Sequence, residues 1–174
     1  MNEILWAPWR MSYILSSKEK VTGCVFCEKP ACADDRAEFI VLRGVSAYAM
    51  LNLYPYNNGH LLIAPYQHCA SIEDLDASTL TEIMLLSNQS LTVLRQALKP
   101  QGFNLGINLG KIAGAGIAEH VHLHIVPRWN ADTNYMSVTA GTRVIPEALE
   151  DTYDQIMAVV RQLNTETPGR QDAG

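Results

Sequence analysis

The chain has 174 residues, enough for one domain with a sizeable core and too few for two comfortable ones. Hydrophobic residues make up 48% and charged residues 18%, a globular rather than a disordered composition. The formal net charge of −5 argues against a long nucleic-acid backbone as partner, which needs a broad cationic surface, but leaves room for a small anion held by local donors.

Trp6, Pro8, Trp9 and Arg10 break up the first fifteen residues, so they lack the compact apolar core of a signal peptide. No run approaches the roughly 18 apolar residues of a membrane span. The expectation is a cytoplasmic protein without a membrane partner, whose Cys24, Cys27, Cys32 and Cys69 are reduced thiols or metal ligands. Cys24-Val25-Phe26-Cys27 has metal-ligand spacing, a weak signal alone, and no thioredoxin-like pattern surrounds it.

Residues 38–43 and 46–52 read as two strands joined at Gly44. Residues 54–59 are turn chemistry, and 60–64 form a third strand stopped by Pro65. Leu80, Ile83, Met84, Leu91, Leu94 and Leu98 recur at helical spacing, predicting a helix over about 78–98 capped by Asp76 or Ser78. Residues 103–108 give a fourth strand, 110–116 a glycine-rich loop, and 120–126 a fifth strand ended by Pro127. A last helix begins near Pro146, with Leu149, Tyr153, Ile156, Val160 and Leu163 as its apolar stripe. Residues 165–174 read as a frayed tail. Together these predict an α+β fold: a mostly antiparallel five-stranded sheet with a long central helix and a C-terminal helix.

Three of the five histidines fall in His120-Val121-His122-Leu123-His124-Ile125-Val126. Alternation on a strand puts the three imidazoles on one face, each roughly 6.6 Å from the next, and sends Val121, Leu123 and Ile125 into the core. Three readings follow from the residues: a solvated histidine-rich face, a three-histidine metal site, or nucleophilic and acid–base chemistry. Neutral imidazole is a good nucleophile near neutral pH.

This segment, placed after a glycine-rich loop, resembles the His-φ-His-φ-His-φ-φ motif of the histidine-triad (HIT) superfamily, where φ is hydrophobic. The resemblance implies a HIT-like fold and a nucleotidyl hydrolase or transferase. His122 would attack the α-phosphate of an adenine nucleotide, and His124 would hydrogen-bond a phosphate oxygen. Gly59-His60-Leu61-Leu62 followed by Pro65-Tyr66-Gln67-His68 resembles a second family motif and makes His60 an orienting histidine. By the same resemblance Asn52 would bind the ribose, Phe26, Leu53 and Leu62 the base, and Asn108 with backbone near Gly116 the phosphate. Gly116-Ile117-Ala118-Glu119 departs from the Ser or Thr that many members carry there. Arg10, Lys111 and Arg128 are further phosphate candidates.

One branch carries a structural zinc, which matched residue by residue gives Cys24, Cys27, His68 and His120, with Cys32 and Cys69 read as ordinary buried thiols. No organic cofactor is implied; Mg²⁺ could accompany the substrate. Residues 5–14, 114–120, 126–129, 132–136 and 142–146 narrow the resemblance to bacterial diadenosine-polyphosphate phosphorylases. The implied partners are an adenine nucleotide or dinucleoside polyphosphate, phosphate or water as acceptor, and a second copy in a homodimer. The implied organisation is an extension at 1–21, a catalytic domain at 22–130, a C-terminal extension with its helix at 131–164 and a flexible tail at 165–174. Competing functions are a nucleoside phosphoramidate hydrolase, a metal-dependent hydrolase and a nucleotide-binding interaction module.

Overall fold

The computed structural model describes residues 23–130, 132 and 147–166, and its centre is a five-stranded antiparallel sheet. The strands are β1 (Ile40–Arg43), β2 (Ala47–Leu51), β3 (Leu61–Pro65), β4 (Gly102–Ile107) and β5 (Leu123–Arg128), ordered β1-β2-β3-β5-β4. Helix α1 (Val25–Ala31) precedes the sheet, α2 (Ala77–Leu98) links β3 to β4, and α3 (Leu149–Glu166) follows β5. The α+β expectation holds. Trp6, Trp9, Arg10, Pro146 and residues 167–174 lie outside the described residues. Among the described residues no helix is long and apolar enough to cross a membrane.

The sheet separates two apolar layers. Ala49, Leu51, Leu61, Ile63, Leu123 and Ile125 point to α2 and α3 and meet Ile83, Leu86, Val93, Leu94, Tyr153, Ile156 and Val160 in the main core. Burial of such side chains contributes about 1.5–3 kcal/mol each and drives the packing. Tyr48, Met50, Leu62 and Ala64 point the other way, where Phe26 of α1 and Ile117 of the loop before β5 cover them. This second, smaller layer packs against the histidine segment, through Phe26.

Helix α2 is capped by Asp76, whose carboxylate accepts the Thr79 N–H and the Ser78 hydroxyl at 2.7 Å each. Its buried stripe runs Thr79, Ile83, Leu86, Ser87, Ser90, Val93 and Leu94. Leu80 and Met84, read from spacing as part of the stripe, are exposed. The buried serines and threonine carry the true phase of the helix, and a count of apolar residues alone misses them. Glu82 ties α2 to the sheet, accepting the N–H groups of Val45, Ser46 and Ala47 in the β1–β2 connection.

Pro65 is the last residue of β3 and ends it as expected, whereas Pro127 lies inside β5, which runs on to Arg128. Pro65 pairs with Ala47 and Pro127 with Phe103. Each is tolerated because its nitrogen and carbonyl point away from that partner strand, so no ladder N–H is lost. The outward carbonyls are then free to bind side chains: Pro65 O accepts from His120 Nε2 at 2.9 Å, and Pro127 O from Asn57 Nδ2 at 3.0 Å. Helix α1 was not foreseen, and α3 continues through Thr165 and Glu166, where a frayed tail was expected.

Candidate active site and metal centre

Strand β5 begins at Leu123, so His120, Val121 and His122 form its entrance rather than its first residues. The expected face-sharing nevertheless holds. Phe26 packs on both His120 and His122, at ring separations of 5.3 and 4.6 Å, and the His122 and His124 rings lie 4.9 Å apart. Val121, Leu123 and Ile125 go to the main core. The three imidazoles diverge in what their Nδ1 atoms meet.

His120 is fully buried and turns its Nδ1 to the thiols of Cys24 and Cys27, at 3.3 and 3.6 Å. His68 Nδ1 lies 3.4 Å from the Cys27 thiol. The four side chains present ligand atoms that all lie within 4.8 Å of one another. A tetrahedral ion with metal–sulfur and metal–nitrogen bonds of roughly 2.3 and 2.05 Å places sulfur and nitrogen about 3.6 Å apart, so the set fits. Pro65 O fixes the other nitrogen of His120 as N–H, the usual support for a metal-binding imidazole. Burial pushes the His120 imidazole below its ordinary value, favouring the neutral form a metal needs. Cys69 is buried as read, but Cys32 is exposed, because it lies just past the end of α1, and neither joins the cluster. No other such group of three or more metal-binding side chains occurs among the described residues.

His122 is held differently. Its Nδ1 lies 2.8 Å from the His120 carbonyl, an acceptor only, so Nδ1 carries the proton. Nε2 then keeps its lone pair. The side chain is only 7% exposed. Burial lowers its basicity, against the opposing pull of the carbonyl bond, and keeps the ring neutral. A neutral imidazole with its outer nitrogen unprotonated is the form required of a nucleophile.

His124 faces His60, with Nδ1 of the former 3.0 Å from Nε2 of the latter. His60 is fully buried and its Nδ1 receives the Tyr56 N–H at 3.0 Å. The Tyr56 ring stacks on His124 at 5.7 Å and 20°, and leans on His60 at 4.7 Å. Tyr56 went unnoticed in the sequence, where residues 54–59 read as turn chemistry alone. An aromatic four residues before a site histidine was the one available signal. Gly59 permits the return: its φ of +69° is left-handed, and a Cβ there would meet Leu98 at 2.3 Å.

The other candidates fall into two groups. Phe26 and Leu62 are buried in the site-side layer, and Leu62 pairs with His124 across the sheet. Asn52 is half-buried against His60, at 3.3 Å. The β4–β5 ladder ends at Ile107↔Leu123, so Asn108 and His122 are the next residues beyond the two strand ends. Leu53 and Gly116 are exposed at the margin. Gly110 and Gly114 take left-handed φ values of 81° and 93° around the turn Lys111–Ala113. Arg128, a phosphate candidate, is committed instead to Asp132 and Asn104. Lys111 is exposed.

The HIT domain family profile matches residues 35–131. The AP-4-A phosphorylase of Mycobacterium tuberculosis is 40% identical over 155 residues, covering 85% of this chain and 79% of that protein. The adenosine 5′-monophosphoramidase of Saccharomyces cerevisiae is 29% identical over 129 residues, 74% of this chain and 77% of that protein. Among solved structures, a Zn-bound histidine triad family protein from Mycobacterium smegmatis superposes with a TM-score of 0.67 at 24% identity, covering 84% of this chain and 99% of that one.

Proposed function

This chain belongs to the HIT domain family, and on that premise we propose that it transfers the adenylyl group of a dinucleoside polyphosphate through His122. The observation that carries the reading is the 2.8 Å bond from His122 Nδ1–H to the His120 carbonyl, which leaves the buried Nε2 with its electron pair. That pair attacks the α-phosphorus. The phosphorus–oxygen bond to the remaining polyphosphate breaks, and the leaving group departs as an anion. The adenylylated ring keeps Nδ1–H and is cationic, a charge the His120 carbonyl dipole stabilises. His124 stands beside the attacking ring, at 4.9 Å, in place to donate to the oxygens where charge develops.

An oxygen of inorganic phosphate then attacks the same phosphorus, the phosphorus–nitrogen bond breaks, and ADP leaves. Water in that role gives AMP and a proton. The 40% identity to a protein named AP-4-A phosphorylase supports phosphate as the acceptor. Phe26, Leu53 and Leu62 would receive the base, Asn52 the ribose, and Asn108 with the loop around Gly116 the phosphates. Cys24, Cys27, His68 and His120 would hold Zn²⁺. When bound, it supplies a closed cross-link between α1 and the entrance to β5, not an activated water. Phe26, on the same helix as Cys27, rests on the His122 ring, so α1 and the nucleophile are positioned together. A homodimer is supported by β4 lying at the sheet edge with Leu105 and Leu109 exposed on and beside it.

The test is an acid-free quench of enzyme mixed with labelled diadenosine tetraphosphate, followed by peptide mass analysis. The expected result is adenylyl on His122. Comparing ADP and AMP yields with and without phosphate identifies the acceptor. Turnover with no adenylylated His122 at any time overturns the reading.

A further inference from the structure

We propose that Asn52 is a positioning residue: with the Tyr56 amide it fixes which nitrogen of His60 carries a proton, and so makes His124 a hydrogen-bond donor toward the substrate. The backbone N–H groups of Tyr54 and Tyr56 can only donate. The Tyr54 N–H donates to Asn52 Oδ1 at 2.9 Å, which settles the orientation of that amide and turns its NH₂ to His60 Nδ1 at 3.3 Å. The Tyr56 N–H donates to the same nitrogen at 3.0 Å. Two donors converge on His60 Nδ1, so it is an acceptor and the proton sits on Nε2. His60 Nε2–H therefore donates across 3.0 Å to His124 Nδ1, and His124 carries its own proton on Nε2. With the opposite tautomers His124 would present a lone pair to phosphate oxygens and repel them.

The frame around this relay is fixed from both sides. Asn57 Nδ2 donates to Pro127 O at 3.0 Å and to Asp132 at 2.9 Å. Asn58 Nδ2 donates to Glu147 at 3.0 Å, and the Thr152 hydroxyl lies within bonding distance of both residues. The turn that carries the Tyr56 amide is thus tied to the end of β5 and to the start of α3. The inference deepens the adenylyl-transfer reading and rests on it for the identity of the oxygens His124 meets. It assigns Asn52 a task separate from ribose binding.

Asn52→Asp separates the two tasks. A carboxylate still accepts from ribose hydroxyls, but it accepts at His60 Nδ1 where the amide donated. Histidine ring-nitrogen NMR on the substrate-free protein reads the tautomers directly, assigned with His60→Gln and His124→Gln. The expected wild-type result is protonated Nε2 and bare Nδ1 on both rings. In Asn52→Asp a proton appears on His60 Nδ1, and kcat falls roughly tenfold or more while KM stays within about threefold. A wild-type spectrum with His60 protonated at Nδ1 overturns the proposal whatever the variant does. So does an Asn52→Asp protein with unchanged tautomers and a kcat within about twofold. The spectra need no turnover, so the adenylyl-transfer reading can fail without deciding this one.

Discussion

The two ends of the histidine segment use the same side chain for opposite purposes. At the His120 end, ring nitrogens converge with two thiols on a space an ion would fill. At the His124 end, ring nitrogens meet N–H groups and one another, and direction is everything. His122 lies between, tethered by the backbone carbonyl of the first residue and beside the ring of the third. Imidazole chemistry here is set by what each Nδ1 meets. In the proposed reading a thiol pair makes a ligand, a carbonyl makes a nucleophile, and an N–H makes a donor toward substrate.

Replacing the middle residue should break the chemistry most completely. His122→Gly or His122→Asn is expected to lower kcat by at least about 10⁴-fold, as loss of a covalent nucleophile does, with melting temperature and AMP binding retained. Steady-state kinetics and calorimetry check this; substantial residual turnover would reassign the nucleophile. At the hydrogen-bonded end, His124→Ala should cost about 10²–10³ in kcat, the size of one lost donor at a developing charge, and should leave stability nearly unchanged.

The thiol end should behave in reverse. Cys24→Ser is expected to lower metal content, measured by elemental analysis, and stability by at least about 3 kcal/mol, or roughly 6–12 °C in Tm. Unchanged metal content and Tm would remove the contrast between the ends.

Glu82, remote from both ends, sharpens the comparison as a purely structural control. Burial opposes its charge, but bonds from Val45, Ser46 and Ala47 outweigh burial and hold its carboxyl below the ordinary glutamate value. A carboxyl lowered on folding stabilises above its unfolded pKa, near 4.5, and that contribution is lost as pH falls through the lowered folded value. Glu82→Gln should therefore cost about 1–2 kcal/mol at neutral pH, flatten the acid side of the Tm–pH curve, and leave kcat alone.

Much of this was legible in the chain. The alternation at 120–126 put three imidazoles on one side and three aliphatics on the other, because a strand entrance keeps the two-residue period even where pairing has stopped. Apolar runs between turn residues marked five strands, and apolar residues at helical spacing marked two helices. The short helix α1 escaped because seven residues containing Pro30 carry no helical period. Leu80 and Met84 misled because α2 hides serines and a threonine in its core-facing stripe, with Ser87 satisfied by its own helix. Arg128 looked like a phosphate ligand until Asp132 took it.

Sequence by itself determined the type, order and spacing of the reactive groups: five histidines, a CxxC and a glycine-rich loop, with the periodicity that assigns each to a face. Tertiary structure alone decided which partners the ring nitrogens of His60, His120 and His124 meet. That choice depends on partners the fold supplies: Pro65 O, far along the chain, for His120, the turned-back amide of nearby Tyr56 for His60, and distant His60 for His124. A proton's position is set by the nearest partner in space, and local sequence carries no record of it.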